Sequence, residues 1–155
     1  MLRNSLLTIH LFAVILWLGG GAYEWFVALQ AKRYRGTSVE LPLLRMVATT
    51  GPVIAVSMVL VAVTGVLMSW LLGWGFFTVF WLGAVQAIMA VALGIMLSIL
   101  RPYYRAGELM RALPPGPGEA TDEIRALLAP LDPWILTMRL GALVAAVLAI
   151  WKPVL

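Results

Sequence analysis

The chain has 155 residues, of which 63% are hydrophobic and 12% are charged, and its mean hydropathy is +0.98. A soluble protein of this length would expose far too much apolar surface, so the composition indicates an integral membrane protein. The absence of cysteine excludes disulfides, thiolate metal sites and covalent c-type haem attachment. The formal charge of +4 does not form basic clusters interleaved with aromatic residues, so we expect no nucleic-acid partner.

The first predicted membrane span covers residues 5–29, which contain no Lys, Arg or Asp and only one His and one Glu. At 1.5 Å per residue, such a stretch is long enough to cross a hydrocarbon core of about 30 Å. His10, Trp17, Gly21 and Glu24 follow helical spacing and lie along one side of the helix. Because ionisable groups are costly in hydrocarbon, we expect this side to face the protein interior and to carry function.

Three further spans are predicted at residues 44–72, 76–100 and 133–152. The fold class is therefore all-α, with residues 1–155 forming a single integral membrane domain, a bundle of four transmembrane helices. A kink is expected near Gly51 and Pro52, since proline removes a backbone donor. The uncharged turn that begins at Leu72 is short, so the second and third spans should form an antiparallel hairpin.

The connection at residues 101–132 is the longest polar segment. We expect the third helix to continue into it until the Pro- and Gly-rich run 114–118 ends the helix. Thr121 is a good N-cap for a short amphipathic helix between helices 3 and 4, which we expect to lie on the membrane surface. Asp132 is expected to cap the fourth helix. The apolar stripe of the short helix is Ile124, Leu127, Leu128 and Leu131.

The distribution of Lys and Arg predicts the orientation of the bundle. Four basic residues accompany the first connection and four accompany the third, whereas the hairpin turn has none. Both charged connections are therefore expected to be cytoplasmic, with both termini outside. Trp70, Trp74, Trp81 and Trp151 would then form an aromatic belt near the outer interface. The basic residues are Lys32, Arg33, Arg35 and Arg45, followed by Arg101, Arg105, Arg111 and Arg125.

His10 is the only histidine, at a predicted depth of about 7–8 Å from the outer edge. A b-type haem needs one or two axial ligands in a shielded apolar pocket, and Met68 is predicted at a similar depth. One hypothesis is therefore a haem on His10, either five-coordinate or with Met68 as second ligand. The alternatives are a neutral imidazole bonded to a carbonyl or a neighbouring helix, and a proton relay.

Glu24 and Arg139 are predicted at a shared depth near the inner edge of the membrane. Since each is costly alone in lipid, we expect a buried ion pair that fixes the packing of spans one and four. The alternative is that Arg139, with Arg101 or Arg105, binds an anionic group such as a haem propionate or a lipid phosphate. No Walker loop, nucleophile elbow or metalloprotease motif is present, so the sequence indicates no catalytic residue.

Residues 10–20, His-Leu-Phe-Ala-Val-Ile-Leu-Trp-Leu-Gly-Gly, resemble the first helix of the HemJ and CopD group of membrane proteins. Residues 151–153, Trp-Lys-Pro, resemble the C-terminal ending of HemJ. The group includes oxygen-independent protoporphyrinogen oxidases and copper-resistance domains, and the resemblance implies a b-type haem with His10 as axial ligand. Residues 81–85 are Trp-Leu-Gly-Ala-Val, where HemJ proteins have a Trp-Leu-His-x-Lys-like segment, so the resemblance does not extend to protoporphyrinogen oxidation.

Two functions remain open on the sequence. The first is a haem-binding protein of membrane redox or haem chemistry; the second is a non-catalytic subunit or assembly factor, with His10 and the Glu24–Arg139 pair purely structural. A small-molecule or ion carrier ranks behind both, because no inverted repeat is visible. The expected partners are the lipid bilayer, a redox partner or larger complex, and further subunits, in a bacterial or archaeal cytoplasmic membrane. The candidate cofactor-binding residues are His10, Trp17, Gly20, Gly21, Met68 and Arg139, with His10 as the metal ligand.

Overall fold

The computed structural model describes residues 2–74 and 79–152, and the regular secondary structure within these ranges is helical. Four helical segments are long and apolar enough to cross a membrane, which confirms the predicted all-α architecture. In the last of these segments, a short helix and a 3₁₀ turn at Ala129–Leu131 lead directly into the fourth long helix. The helices are α1 Leu2–Arg33, α2 Glu40–Leu71, α3 Phe80–Ala112, α4 Asp122–Leu128 and α5 Asp132–Trp151.

The first three long helices extend beyond the predicted membrane spans. Helix α3 continues through Pro102 to Ala112, as expected from the sequence, and ends just before the run 114–118. Its predicted start at Phe76 lies outside the described residues, and the helix begins at Phe80. Large apolar side chains such as Phe12 and Ile15 on α1 are about two-thirds exposed, as expected for surfaces covered by lipid.

The bundle consists of two helix pairs, because α1 packs mainly on α2 and α3 packs mainly on α5. Glycines allow close approach within it: a Cβ atom on Gly20 would lie 3.0 Å from Ile54 Cγ1, and one on Gly141 would lie 3.3 Å from Ile88 Cγ2. At Gly94, by contrast, a Cβ atom would meet none of the described atoms within 4 Å, so no neighbouring helix packs closely there. The membrane core is Ala13, Trp17, Met58, Val61, Met89, Ala92 and Ala142.

At one end of the bundle, residues 34–39 and 113–121 connect the long helices, and we call this the loop end. Thr121 caps α4, its Oγ1 accepting a hydrogen bond from the Ile124 N–H at 3.3 Å. Ile124 is fully buried against α2 and α3, so this part of the apolar stripe packs on protein. The position of α4 relative to the membrane stays a prediction. The second core is Leu41, Ala106, Met110, Ala120 and Ile124.

Asp132 does not cap α5, contrary to the expectation from the sequence. The N-cap is Leu131, which makes no side-chain cap bond, and Asp132 already has helical φ and ψ angles of −52° and −50°. An N-cap residue normally has extended angles, and the 3₁₀ turn that leads into α5 does not provide them. The Asp132 carboxylate instead pairs with Lys32 Nζ at 2.6 Å.

The opposite end of the bundle, where α2 ends and α3 begins, we call the hairpin end. Gly73 has φ +66°, a left-handed conformation that glycine adopts without strain. The rings of Trp74 and Trp81 meet edge to face at 6.1 Å, and Lys152 Nζ lies 5.7 Å from the Trp81 ring centroid. The end of α5 therefore joins two of the predicted interfacial tryptophans. Gly75, which ends the predicted turn, and Pro153 lie outside the described residues.

Candidate functional site

His10 lies between α1 and α2, with its Nδ1 atom 2.8 Å from Thr64 Oγ1. The Thr64 hydroxyl has one proton, which it donates to the Leu60 carbonyl oxygen at 2.5 Å. With that proton used, Thr64 Oγ1 can accept from His10 Nδ1, and the imidazole also has a main-chain hydrogen-bond partner at Val61. The tautomer with the proton on Nδ1 fits these contacts and leaves the lone pair on Nε2. On the same side, a Cβ atom on Gly65 would lie 3.5 Å from His10 Cε1, so the ring packs close to the α2 backbone.

Met68, the predicted second ligand, is half-buried on α2. It lies four residues after Thr64 and therefore on the same face of the helix. Since Thr64 is level with His10, Met68 is displaced from the imidazole by about one turn, or ~6 Å along the helix axis. Within residues 2–74 and 79–152, no three His, Cys, Asp or Glu side chains group together as a metal site.

Glu24 is buried in α1 and contacts side chains from two other helices. The Tyr103 hydroxyl on α3 lies 2.9 Å from Glu24 Oε1, and Arg139 Nη2 on α5 donates to Oε2 at 3.1 Å. The predicted Glu24–Arg139 ion pair is therefore confirmed, and Tyr103 is a partner that the sequence did not reveal. We call these three residues the polar cluster. Arg105, predicted as a possible helper of Arg139, pairs with Glu108 at the surface instead.

Tyr103 reaches the polar cluster because Gly51 on α2 has no side chain. A Cβ atom at Gly51 would lie 2.7 Å from Tyr103 Cζ, which is closer than real contacts allow. The Tyr103 hydroxyl also lies 2.8 Å from the Val47 carbonyl oxygen of α2, so its one proton is placed between this oxygen and Glu24 Oε1. Gly51, which the sequence marked only as part of a kink, thus makes room for the tyrosine.

An apolar cavity of about 300 Å³ lies beside the polar cluster, between the α1–α2 pair and the α3–α5 pair. Its wall includes Trp17, Gly21 and Arg139, three of the residues predicted to bind a cofactor. All three members of the polar cluster line it. The rim residues from α1 and α5 are about half exposed, so the cavity opens sideways towards the lipid. These rim residues are Trp25, Leu136, Leu140 and Leu143.

A second cavity, of about 680 Å³, lies towards the loop end. The polar cluster and Ile135 line both cavities, which therefore meet at the polar cluster. The second cavity is polar and carries charges of both signs, in contrast to the first. Its charged lining residues beyond the polar cluster are Lys32, Arg35, Glu40, Asp122, Arg125 and Asp132.

The residues predicted to bind a cofactor lie at two separate places. Between His10 and Glu24, α1 advances about 21 Å, so Arg139, which contacts Glu24, lies near the other end of the span from His10. Neither cavity, as bounded by the described residues, is lined by His10 or Met68. Gly20 serves helix packing, as its contact with Ile54 shows. One place therefore combines His10 with Thr64, and the other combines the polar cluster with the two cavities.

Glu40 holds the loop end together and was not recognised from the sequence. Its carboxylate is 3% exposed and accepts from Arg125 Nε at 3.0 Å, Arg125 Nη2 at 2.6 Å and the Gly36 N–H at 2.9 Å. The Ala120 N–H completes the set at 3.4 Å. The sequence gives no signal for this pairing, because Glu40 and Arg125 are 85 residues apart.

Arg45, counted in the sequence only as an orientation charge, caps the end of α3. Its guanidinium nitrogens lie 2.8–3.4 Å from main-chain carbonyl oxygens in and beyond the last turn of that helix. A helix C-terminus has unpaired carbonyls and a partial negative charge, so a cation there is stabilising. The acceptors are Met110, Leu113, Pro114 and Gly116.

No family model, curated protein or solved structure matches this chain. The resemblance to the HemJ and CopD group therefore rests on the sequence motifs at the two ends of the chain.

Proposed function

We propose that this chain is a small integral membrane protein that binds b-type haem through His10 and serves membrane redox or haem chemistry. The observation that carries the proposal is the hydrogen bond from His10 Nδ1 to Thr64 Oγ1. Metal-binding histidines nearly always donate their other ring N–H to an oxygen, which fixes the tautomer and the orientation of the ring. Here Thr64 Oγ1 would accept the hydrogen bond from Nδ1–H, and Nε2 would retain the lone pair that an iron requires.

Further features around His10 suit a haem. Gly65 lets the His10 ring pack close to the α2 backbone, and Met68 lies about one turn away as a thioether that iron accepts as a second ligand. When bound, haem would supply one-electron redox chemistry, and His10 would hold it while Thr64 orients the imidazole. Arg139 takes no part in this proposal, since it is bound to Glu24 near the other end of the span.

The proposal is tested by the absorption spectrum of the detergent-purified protein. We expect a Soret band that is lost in His10→Ala, because no other histidine can replace the ligand. Thr64→Val keeps the side-chain shape but removes the acceptor, and should weaken haem binding about tenfold. Thr137→Val is the matched control, since among the described residues the Thr137 hydroxyl bonds to the Pro133 carbonyl of its own helix. A Soret band that survives in His10→Ala would overturn the proposal.

A second candidate function is a non-catalytic subunit or assembly factor of a larger membrane complex. The polar cluster favours it, because Glu24, Tyr103 and Arg139 join α1, α3 and α5 through hydrogen bonds that a purely structural role would require. Under this function the protein purifies without haem and with stoichiometric partner subunits. Affinity purification from the native membrane, followed by measurement of haem and subunit stoichiometry, separates the two functions.

We also infer that the loop end faces the cytoplasm and that both termini lie outside, with α4 near the cytoplasmic surface. The inference rests on the basic residues of the two connections and on the tryptophans near the hairpin end. Because the chain contains no cysteine, single cysteines can be introduced without a background signal. In intact cells, a membrane-impermeant maleimide should label Asn4→Cys but not Ser38→Cys. The reverse pattern would contradict this orientation.

A further inference from the structure

We propose that the apolar cavity beside the polar cluster binds a bilayer-soluble molecule with an apolar tail and a neutral head bearing hydroxyl and carbonyl oxygens. This site is separate from the one proposed at His10, and it does not depend on haem. Three features support the proposal: the walls of the cavity, the unused hydrogen-bonding capacity of the polar cluster, and the open side of the cavity.

The walls of the cavity suit a tail rather than a polar molecule. Aromatic and thioether side chains such as Trp17, Met58 and Met96 line it, and its charged residues, Glu24 and Arg139, belong to the polar cluster. A volume of about 300 Å³ lies at the lower end of the range typical of small-molecule sites. The ligand should therefore place its head at the polar cluster and its tail among the apolar side chains.

The polar cluster has hydrogen-bonding capacity that the protein does not use. A carboxylate offers about four acceptor positions and a guanidinium offers about five donor hydrogens. Among the described residues, Glu24 accepts from Tyr103 and Arg139, and Arg139 donates through one nitrogen to Glu24. Both side chains line the cavity. A head that donates a hydroxyl proton to Glu24 and accepts from Arg139 would use this capacity.

The charge of the site selects a neutral head. Glu24 and Arg139 balance each other at 3.1 Å, so the site has no net charge to offer. An anionic head would meet the Glu24 carboxylate, and a cationic head would meet the Arg139 guanidinium. Because an uncompensated charge is expensive in a low-dielectric environment, either charged head would bind less well than a neutral one.

The open side of the cavity explains how such a molecule would enter. The rim residues Trp25, Leu136 and Leu140 are 48%, 46% and 54% exposed. Helices α1 and α5, which carry these residues, make few contacts with each other. Both helices are long and apolar enough to lie in the membrane, so this opening faces hydrocarbon. A molecule dissolved in the bilayer can therefore reach the cavity without crossing water.

The experiment uses the full chain in lipid nanodiscs and a monoacylglycerol whose acyl tail carries a photoreactive diazirine. After irradiation, mass spectrometry locates the adducts. We expect saturable labelling of the cavity walls on α1 and α5, and competition by unlabelled monoacylglycerol. A fatty acid and a fatty amine with the same diazirine tail test the head, and each should label about tenfold less, a difference of ~1.4 kcal/mol. Equal labelling by all three heads would overturn the neutral-head assignment.

Matched variants test the location. Ala22→Phe at the rim narrows the opening and should reduce labelling about tenfold, whereas Ala149→Phe, at an exposed position of α5 away from the cavity, should leave it unchanged. Glu24→Gln leaves Arg139 without its counter-charge and should shift the preference towards the fatty acid. Labelling that is unsaturable, or equal in the two Phe variants, would overturn the proposal. Labelling in His10→Ala should match wild type, which separates this result from the haem proposal.

Discussion

Glu24 and Glu40 are both buried carboxylates paired with an arginine, yet their surroundings differ. Glu40, at the loop end, accepts four hydrogen bonds, two from Arg125 and two from main-chain N–H groups. Three of these bonds fall on Oε2 and one on Oε1, so the carboxylate accepts about as many hydrogen bonds as it has positions in total. Glu24, in the middle of the bundle, accepts from Tyr103 and Arg139 alone among the described residues.

The difference distinguishes a structural carboxylate from one available to a ligand. The four bonds of Glu40 connect α2, α4 and the loop segments around residues 36 and 120, so this carboxylate is committed to holding protein segments together. Glu24 connects three helices with fewer bonds and lines both cavities. Buried polar groups are normally satisfied, so unused capacity beside a cavity indicates a place where a ligand or water completes the set.

The largest loss of stability should come from Glu40→Ala. Removing the carboxylate leaves two main-chain N–H groups without their acceptor and leaves Arg125 paired with Asp122 alone, and should lower the free energy of unfolding by about 3 kcal/mol. Unfolding by SDS in mixed micelles measures the change. Glu119→Ala is the matched control, because Glu119 is exposed on the same loop. A loss below ~0.5 kcal/mol would show that Glu40 is not the structural carboxylate argued here.

A smaller loss of stability is expected from Gly51→Ala. This variant tests whether the polar cluster depends on the lack of a side chain at residue 51. The new Cβ atom would collide with the Tyr103 ring and should destabilise the protein by about 2 kcal/mol. Gly94→Ala is the control, since a Cβ atom there meets nothing. Adding Tyr103→Leu should relieve most of the loss. If the double variant is instead as unstable as the sum of the single changes, the collision is not the cause.

The smallest effect should come from Lys32→Ala. Lys32 pairs with Asp132 at 2.6 Å, but both side chains are about half exposed, so the pair is screened by water and salt. We expect a change below ~0.5 kcal/mol in the free energy of unfolding. The same SDS titration provides the measurement. A loss as large as that of Glu40→Ala would mean that burial and the number of accepted hydrogen bonds do not determine how much an ion pair stabilises this protein.

The fold could be predicted from sequence because its signals are local. Uninterrupted apolar runs mark the four long helices, and the cost of an unpaired charge in hydrocarbon was enough to bring Glu24 and Arg139 together. The contacts that shape the sites could not be predicted. Tyr103 and Glu24 are 79 residues apart in the sequence, and Tyr103 can reach Glu24 because Gly51 has no side chain. The expected cap at Asp132 was wrong because the 3₁₀ turn before α5 sets its backbone angles.

The contact of Arg45 with the end of α3 has a mechanical consequence. Since Arg45 belongs to the first turns of α2, α2 and α3 are fastened to each other at the loop end by these bonds and at the hairpin end by the chain itself. The two helix pairs are thus connected to each other at both ends of the bundle through α2 and α3. The α1–α5 edge is held instead by two side-chain ion pairs, Glu24–Arg139 and Lys32–Asp132. Separation of α1 from α5 would therefore break the polar cluster.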